Sequence, residues 1–82
     1  MTYASFTAKA RDSQVHYQWE MRAKGSDEWY VLPEIAWLIG GVNTGTLIIA
    51  AVLGLDGYNF RCLISDGQYA EYSNTVTLYV VP

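Results

Sequence analysis

The chain has 82 residues and a net charge of −3, with five basic side chains against eight acidic ones. This length predicts one domain over residues 1–82 with a thin core, in which three Trp, seven Tyr and two Phe would supply most of the buried area. The few basic residues are scattered, so the sequence lacks the basic stripe that nucleic-acid binding needs, and nucleic acid is not expected as a partner.

The N-terminal segment, MTYASFTAKAR, has no charged head followed by a long apolar run, so it is not a signal peptide. Apolar and polar residues alternate over residues 3–11, which predicts a half-buried strand with Phe6 and Ala8 on its inner side. The following RDSQ segment predicts a turn, because Asp12 and Ser13 are typical turn residues.

Two further strands are predicted before residue 34. Residues 15–22, VHYQWEMR, alternate again and place Trp19 among the inward positions. The segment AKGSDE predicts a hairpin loop in which Gly25 supplies a positive φ. Residues 29–32, WYVL, then return as a short strand that ends at Pro33, because proline cannot donate to a ladder.

A long uncharged segment follows, from Ile35 to Leu55. Its length and hydropathy would suit a transmembrane helix. Polar and flexible residues, Asn43, Thr44, Gly45 and Thr46, stand in its middle, and its second half is predicted to be a strand, so a membrane partner is not expected. Two interpretations of its first half stay open: a lid over the core, or an exposed contact surface for a partner.

In the lid interpretation, Ile35 and either Leu38 or Ile39 point inward and cover the open side of the domain. In the contact interpretation, Trp37 faces outward and binds a partner. Both can hold at once, because alternate residues of an extended segment point in opposite directions. The candidate interface residues are Ile35, Trp37, Leu38, Ile39 and Val42.

The C-terminal half predicts three strands and a hairpin turn. Residues 46–52, TLIIAAV, are rich in β-branched side chains, and residues 57–65, GYNFRCLIS, alternate. Asp66 and Gly67 predict a hairpin turn before the last strand, residues 74–81. Short strands at this spacing, with no amphipathic helix between them, predict an all-β domain.

Three motifs occur in order along the chain: YQW around Trp19, DGYNFRC from Asp56 to Cys62, and the closing SNTVTLYVV. Together they resemble the immunoglobulin-like fold, in particular the bacterial and phage Ig-like modules, over Ser5 to Val81. The resemblance implies a β-sandwich of about seven antiparallel strands. Cys62 is the only cysteine, so no intrachain disulfide can form.

The resemblance also implies roles for individual residues. Trp19 would fill the centre of the sandwich beside Cys62, and the usual disulfide partner of Cys62 falls at or near Ala8. Phe60 stands where that fold carries a tyrosine hydroxyl, for which Tyr58 is the candidate substitute. The fold-determining core is expected to contain Ala8, Trp19, Leu47, Ile49, Phe60, Cys62 and Leu78.

The sequence offers little catalytic or metal-binding chemistry. His16, the only histidine, lies on the outward side of its predicted strand. Asp27 and Glu28 belong to a hairpin loop, and Asp56 and Asp66 precede glycines, where local turn hydrogen bonds explain them. No cofactor, metal site or enzymatic activity is therefore expected.

By resemblance, the chain is expected to be a non-enzymatic structural or adhesion module. A chain that begins at Met1 without a signal peptide suits a phage virion component, a capsid decoration or tail protein bound by protein contacts. The alternative is a module from a larger bacterial cell-surface protein, with a neighbouring Ig-like domain as its partner. A surface glycan, bound through Trp29, Tyr30 and the hairpin turn at Asp66 and Gly67, is a further candidate ligand.

Overall fold

The computed structural model describes residues 2–10 and 14–82, which form eight β-strands. Within this described part there is no α-helix, and a short 3-10 turn covers Leu53–Leu55. The prediction of an all-β chain is confirmed. The strands are β1 (Tyr3–Thr7), β2 (His16–Arg22), β3 (Tyr30–Val31), β4 (Ile39–Gly40), β5 (Thr46–Ala50), β6 (Asn59–Ser65), β7 (Ala70–Tyr72) and β8 (Val76–Thr77).

The strands form two antiparallel sheets. The smaller sheet has the order β1-β5-β4, and the larger has the order β3-β2-β6-β7, with β8 also paired to β6. The longest pairing joins β2 to β6, and its register sets Trp19 opposite Cys62. Apolar residues recur at every second position of both strands, so one side of the larger sheet is apolar.

One hydrophobic core draws on both sheets, which gives the molecule a sandwich-like arrangement. The Phe6 ring of β1 stacks on the Phe60 ring of β6, with centroids 5.7 Å apart. All seven residues expected to determine the fold are buried in this core, and Leu47, Ile49 and Cys62 are fully inaccessible.

The Trp19 side chain is held by hydrogen bonds as well as by packing. Its indole Nε1 donates to the carbonyl oxygen of Thr44 at 2.7 Å, and its backbone N–H donates to the carbonyl of Val42 at 3.0 Å. The loop that precedes β5 therefore caps the indole, and burial leaves no unpaired donor on this residue.

Each predicted strand is shorter in the structure than expected, and the difference is largest at the two ends of the chain. The first ends at Thr7, and the predicted turn on Asp12 and Ser13 lies outside the described residues. The last predicted strand, residues 74–81, contributes only Val76–Thr77 to the sheet as β8, and a separate strand that was not predicted, β7, precedes it at Ala70–Tyr72.

A one-residue bulge separates β7 from β8 in the return segment, which is the part of the chain that runs back along β6. Tyr72 pairs with Leu63 and Val76 pairs with Phe60, so the return segment uses one more residue than β6 between these two pairs. The hydroxyl of Ser73 fills the gap in the ladder and accepts the Cys62 N–H at 2.8 Å.

The uncharged segment from Ile35 to Leu55 folds into β4, β5 and the 3-10 turn. A helix with the length and hydropathy to span a bilayer does not occur in residues 2–10 or 14–82. The helical alternative for this segment is therefore wrong, since its polar centre forms the loop between two strands.

Asp66 and Asp56 precede glycines but bond differently. The Asp66 carboxylate accepts the N–H groups of Gln68 and Tyr69, as local turn bonding predicts, and these bonds lower the pKa of Asp66. Asp56 instead accepts the N–H of Val80 at 2.8 Å, a residue far along the chain. The predicted local turn bond is therefore wrong for Asp56. Its carboxylate, rather than the Tyr58 hydroxyl, connects the turn before β6 to the C-terminal segment.

Candidate binding surface

Trp37 occupies a tight turn between Ile35 and Ile39. The N–H of Leu38 donates to the carbonyl of Ile35 at 3.0 Å, which makes Trp37 the third residue of a four-residue turn. Its φ is 74°, and it is the one non-glycine residue with positive φ in residues 2–10 and 14–82. This turn position usually selects glycine or asparagine, so a bulky aromatic residue there is unusual.

The Trp37 side chain is 83% exposed, so it contributes little to the core. The hydroxyl of Tyr3, on the neighbouring strand β1, donates to the Trp37 carbonyl oxygen at 3.0 Å. The N–H of Ala50 on β5 donates to the carbonyl of Leu38 at 2.8 Å. These two bonds hold the turn against the small sheet, so the exposed indole projects from a fixed backbone.

Other exposed apolar side chains border this turn. Ile48 lies on the outward side of β5, opposite Ser5 of β1 and Gly40 of β4 in the two registers. The strands of the small sheet contain no charged residue. We call the exposed apolar residues of this region the Trp37 surface: Tyr3, Ile35, Trp37 and Ile48.

The structure corrects the candidate interface at two positions. Ile39 is 7% exposed and Val42 is 4% exposed, and both belong to the hydrophobic core. Leu38 is partly buried against the same core, whereas Ile35 and Trp37 are exposed. The segment is therefore divided at the turn: residues 35–37 are exposed and residues 38–42 are buried or half-buried. The lid interpretation is wrong for Ile35, which is 41% exposed, because it precedes the turn that directs the chain toward the core.

Glu34 positions the end of this segment. Its carboxylate accepts the backbone N–H of Val42 at 2.9 Å, across the turn that contains Trp37. The bond satisfies a donor beside the core and fixes the loop that covers the indole of Trp19. An acidic residue at this place therefore has a structural explanation.

Comparison of the chain with protein-family models, with curated proteins and with solved structures gave no match. Function is therefore inferred from the geometry of the described surfaces.

A second surface covers the outward side of the larger sheet and was not anticipated from the sequence. The Arg61 guanidinium lies 4.1 Å from the ring centroid of Trp29 and 3.8 Å from that of Tyr72. Its Nε donates to the carboxylate of Glu20 at 2.8 Å, and Arg22 also lies over the Trp29 ring. Cation–π contacts and an ion pair thus fix one interconnected cluster.

This cluster changes the interpretation of the two residues proposed for glycan binding. The Trp29 ring is already in contact with two guanidinium groups, so a sugar stacked on that ring would compete with them. The hydroxyl of Tyr30 donates to the carboxylate of Glu28 at 2.5 Å, and that bond raises the pKa of Tyr30. Both side chains therefore have partners within the chain.

His16 and the adjacent pair Asp27 and Glu28, the ionisable residues singled out from the sequence, lie on different elements. His16 is exposed on β2, and Asp27 and Glu28 are exposed in the loop before β3. No group of three potential metal-ligating side chains occurs in residues 2–10 and 14–82. Glu20 was expected on the outward side of its strand, but it is only 8% exposed because it forms an ion pair with Arg61.

Cys62 is expected to be chemically unreactive in the folded chain. Burial raises the pKa of its thiol above the ordinary value; a backbone hydrogen bond with Gln18 opposes this, and the Glu20 carboxylate adds to it. A buried neutral thiol is a poor nucleophile. We expect iodoacetamide at neutral pH to leave the folded chain unmodified and to alkylate it in denaturant, as measured by mass spectrometry; rapid alkylation of the folded chain would contradict this.

Proposed function

We propose that the chain is a non-enzymatic binding module that attaches to a protein partner through the Trp37 surface. The observation that carries this proposal is the setting of Trp37 itself. Its indole is 83% exposed, so burial does not explain it, and its φ of 74° disfavours any side chain. An exposed aromatic residue held in an unfavourable backbone conformation is typical of a functional contact.

The neighbouring residues support a protein partner. The strands of the small sheet beside Trp37 carry no charged residue, and the one acidic residue next to the turn, Glu34, uses its carboxylate to accept the Val42 N–H. Charged residues are likewise depleted at the centre of protein interfaces. The side chains most used as bases or nucleophiles are isolated, because His16 is exposed on β2 and Cys62 is buried. A contact function fits this distribution better than a catalytic one.

The immunoglobulin-like assignment is part of the proposal and draws support from strand order. That fold pairs strands B, E and D in one sheet and C, F and G in the other, with C′ beside C. The order β1-β5-β4 matches B-E-D if β1, β5 and β4 are strands B, E and D. The order β3-β2-β6-β7 matches C′-C-F-G if β3, β2 and β6 are strands C′, C and F, and β7 and β8, which both pair with β6, together form G. The described residues contain no counterpart of strand A.

Within this proposal, the partner is a capsid or tail protein of a phage particle, where Ig-like modules decorate the surface. The alternative is a neighbouring Ig-like domain of a bacterial cell-surface protein. The neighbouring reading frames distinguish these: capsid and tail genes support the first, and repeated Ig-like units in one open frame support the second.

The contact itself is tested by replacing Trp37 with alanine. We expect Trp37→Ala to lose binding to the parent particle or neighbouring domain, measured by co-sedimentation, while its melting temperature stays within a few degrees of the original. Tyr79→Ala is the matched control, because Tyr79 is 79% exposed and lies outside the Trp37 surface. Retained binding by Trp37→Ala, or equal loss by both variants, would contradict the proposal.

The same position allows an independent test by stability. Glycine adopts positive φ without the steric penalty of about 1 kcal/mol or more that a side chain incurs. We therefore expect Trp37→Gly to equal the original chain in its free energy of unfolding or to exceed it by up to about 1 kcal/mol. A loss of stability in urea unfolding would show that the indole supports the fold, and would remove the main reason for assigning it a contact role.

A further inference from the structure

The edges of the two sheets differ in how well they are protected against pairing with another strand. Strand β3 has two residues and is followed closely by Pro33, and β4 has two residues between the positive-φ positions Trp37 and Gly41. Strands β7 and β8 are separated by the bulge at Ser73. Short strands, proline and bulges are the usual devices that prevent edge-to-edge association.

Strand β1 has none of these devices. It is a regular strand from Tyr3 to Thr7, and the sequence from Thr2 to Ala8, TYASFTA, contains no charge and no proline. It pairs with β5 on one side only, and no described strand pairs with its other side. An open cleft, lined by β1 on one side and by β7 and the Ser73 bulge on the other, leaves that edge uncovered.

The hydrogen-bond alternation shows which groups β1 leaves unpaired by β5. The N–H of Ala51 donates to the carbonyl of Thr2, and the N–H of Ala8 donates to the carbonyl of Gly45. In an antiparallel ladder the backbone groups of alternate residues point to opposite sides. The residues whose N–H and C=O point away from β5 are therefore Tyr3, Ser5 and Thr7.

We propose that this edge pairs with the same edge of a second copy of the chain. Antiparallel pairing centred on Ser5 sets Tyr3 of each copy opposite Thr7 of the other and Ser5 opposite Ser5. All three outward-pointing residues then form hydrogen-bonded pairs, which gives about six new backbone hydrogen bonds. The result is a two-fold symmetric dimer with one continuous sheet of the order β4-β5-β1-β1-β5-β4.

A second copy fits this edge because β1 is complementary to itself. On the outward side, the aromatic ring of Tyr3 would meet the β-branched Thr7, a favourable cross-strand pair. On the inward side, Phe6 would stand opposite Ala4, so a large residue meets a small one. No charge in TYASFTA opposes the approach of the two strands. The dimer would also place two Trp37 surfaces on one face.

The pairing is tested first by sedimentation of the original chain. A small edge-to-edge interface associates weakly, so we expect the average mass to rise toward that of a dimer between about 10 µM and about 1 mM chain. Over the same series, hydrogen exchange at the amides of Tyr3, Ser5 and Thr7 should slow. A single-chain mass throughout would overturn self-pairing and leave the edge to an extended segment of another protein.

A charge-swap experiment tests the register. Ser5 is exposed, so a charged residue is tolerated in the single chain, but in the dimer it would lie directly opposite its own copy. We expect Ser5→Lys and Ser5→Glu each to weaken association at least about tenfold, and an equimolar mixture of the two to restore it. Association of Ser5→Lys equal to that of the original chain would overturn the proposal.

Two controls separate this pairing from other effects. Ser5→Ala keeps the backbone donors and should dimerise like the original chain, whereas loss of association in Ser5→Ala would overturn a backbone-mediated pairing. Trp37→Ala should also retain the dimer, because Trp37 is not on the β1 edge; loss of the dimer would assign self-association to the Trp37 surface. Circular dichroism of each variant confirms that it is folded.

Discussion

Replacing Trp19 with alanine is expected to lower the free energy of unfolding by about 3–5 kcal/mol. The side chain is 2% exposed and stands at the centre of the core shared by both sheets. The substitution removes this packing and also leaves the carbonyl of Thr44 without its indole donor. Because small domains have about 5–15 kcal/mol of stability, the loss would leave much of the chain unfolded at moderate temperature.

The effect is measured by urea unfolding followed by circular dichroism, with two comparison variants. Trp19→Phe keeps an aromatic ring and removes only the indole donor and part of the volume, so its loss should be smaller than that of alanine. Trp37→Ala removes the same side chain from an exposed position and should cost little. Equal losses for Trp19→Ala and Trp37→Ala would contradict the core assignment of Trp19.

The sequence predicted the inner face of the larger sheet well, for a local physical reason. Alternation of apolar and polar residues in β2 and β6 reports directly which side chains face the core. Trp19, Phe60 and Cys62 were placed on inward positions this way, and the structure buries all three. Turn chemistry at Asp66 and Gly67 is equally local, and the hairpin forms there.

Features that depend on pairing between distant strands were not predictable in the same way. The burial of Glu20 follows from the register that sets it opposite Arg61, and that register is not encoded in either strand alone. Asp56 was assigned to its local turn, but its partner, Val80, becomes a neighbour only when the last segment packs against the corner. The bulge at Ser73 likewise exists only relative to β6.

The segment around Trp37 combines a feature that the sequence predicts with one that it does not. Hydropathy and the absence of charge indicated that residues 35–42 are unusual, but they left both the lid and the contact surface open as interpretations. The division between them depends on the turn that reverses the chain at Trp37, whose positive φ no sequence rule assigns to tryptophan. Ile39 and Val42 were assigned to the interface for this reason, although the turn directs them into the core.

Gly41→Ala is expected to be among the most destabilising single-methyl changes in the chain, with a loss of about 3 kcal/mol or more. Gly41 has a φ of 75°, and a Cβ built there would overlap the backbone carbonyl of Thr46. The Gly41 carbonyl also accepts the N–H and the hydroxyl of Thr44 at 3.0 Å each, so any displacement disturbs the loop that caps Trp19.

Gly25→Ala is the matched control that separates backbone strain from overlap. Gly25 has a φ of 80°, close to that of Gly41, but a Cβ there would meet no atom within 4 Å. Its loss should therefore be the strain of positive φ alone, about 1–2 kcal/mol. The difference between the two variants in urea unfolding measures the steric cost at Gly41. Equal losses would mean that the backbone at the start of β5 yields freely, and that the cap over Trp19 is not the rigid support that its hydrogen bonds indicate.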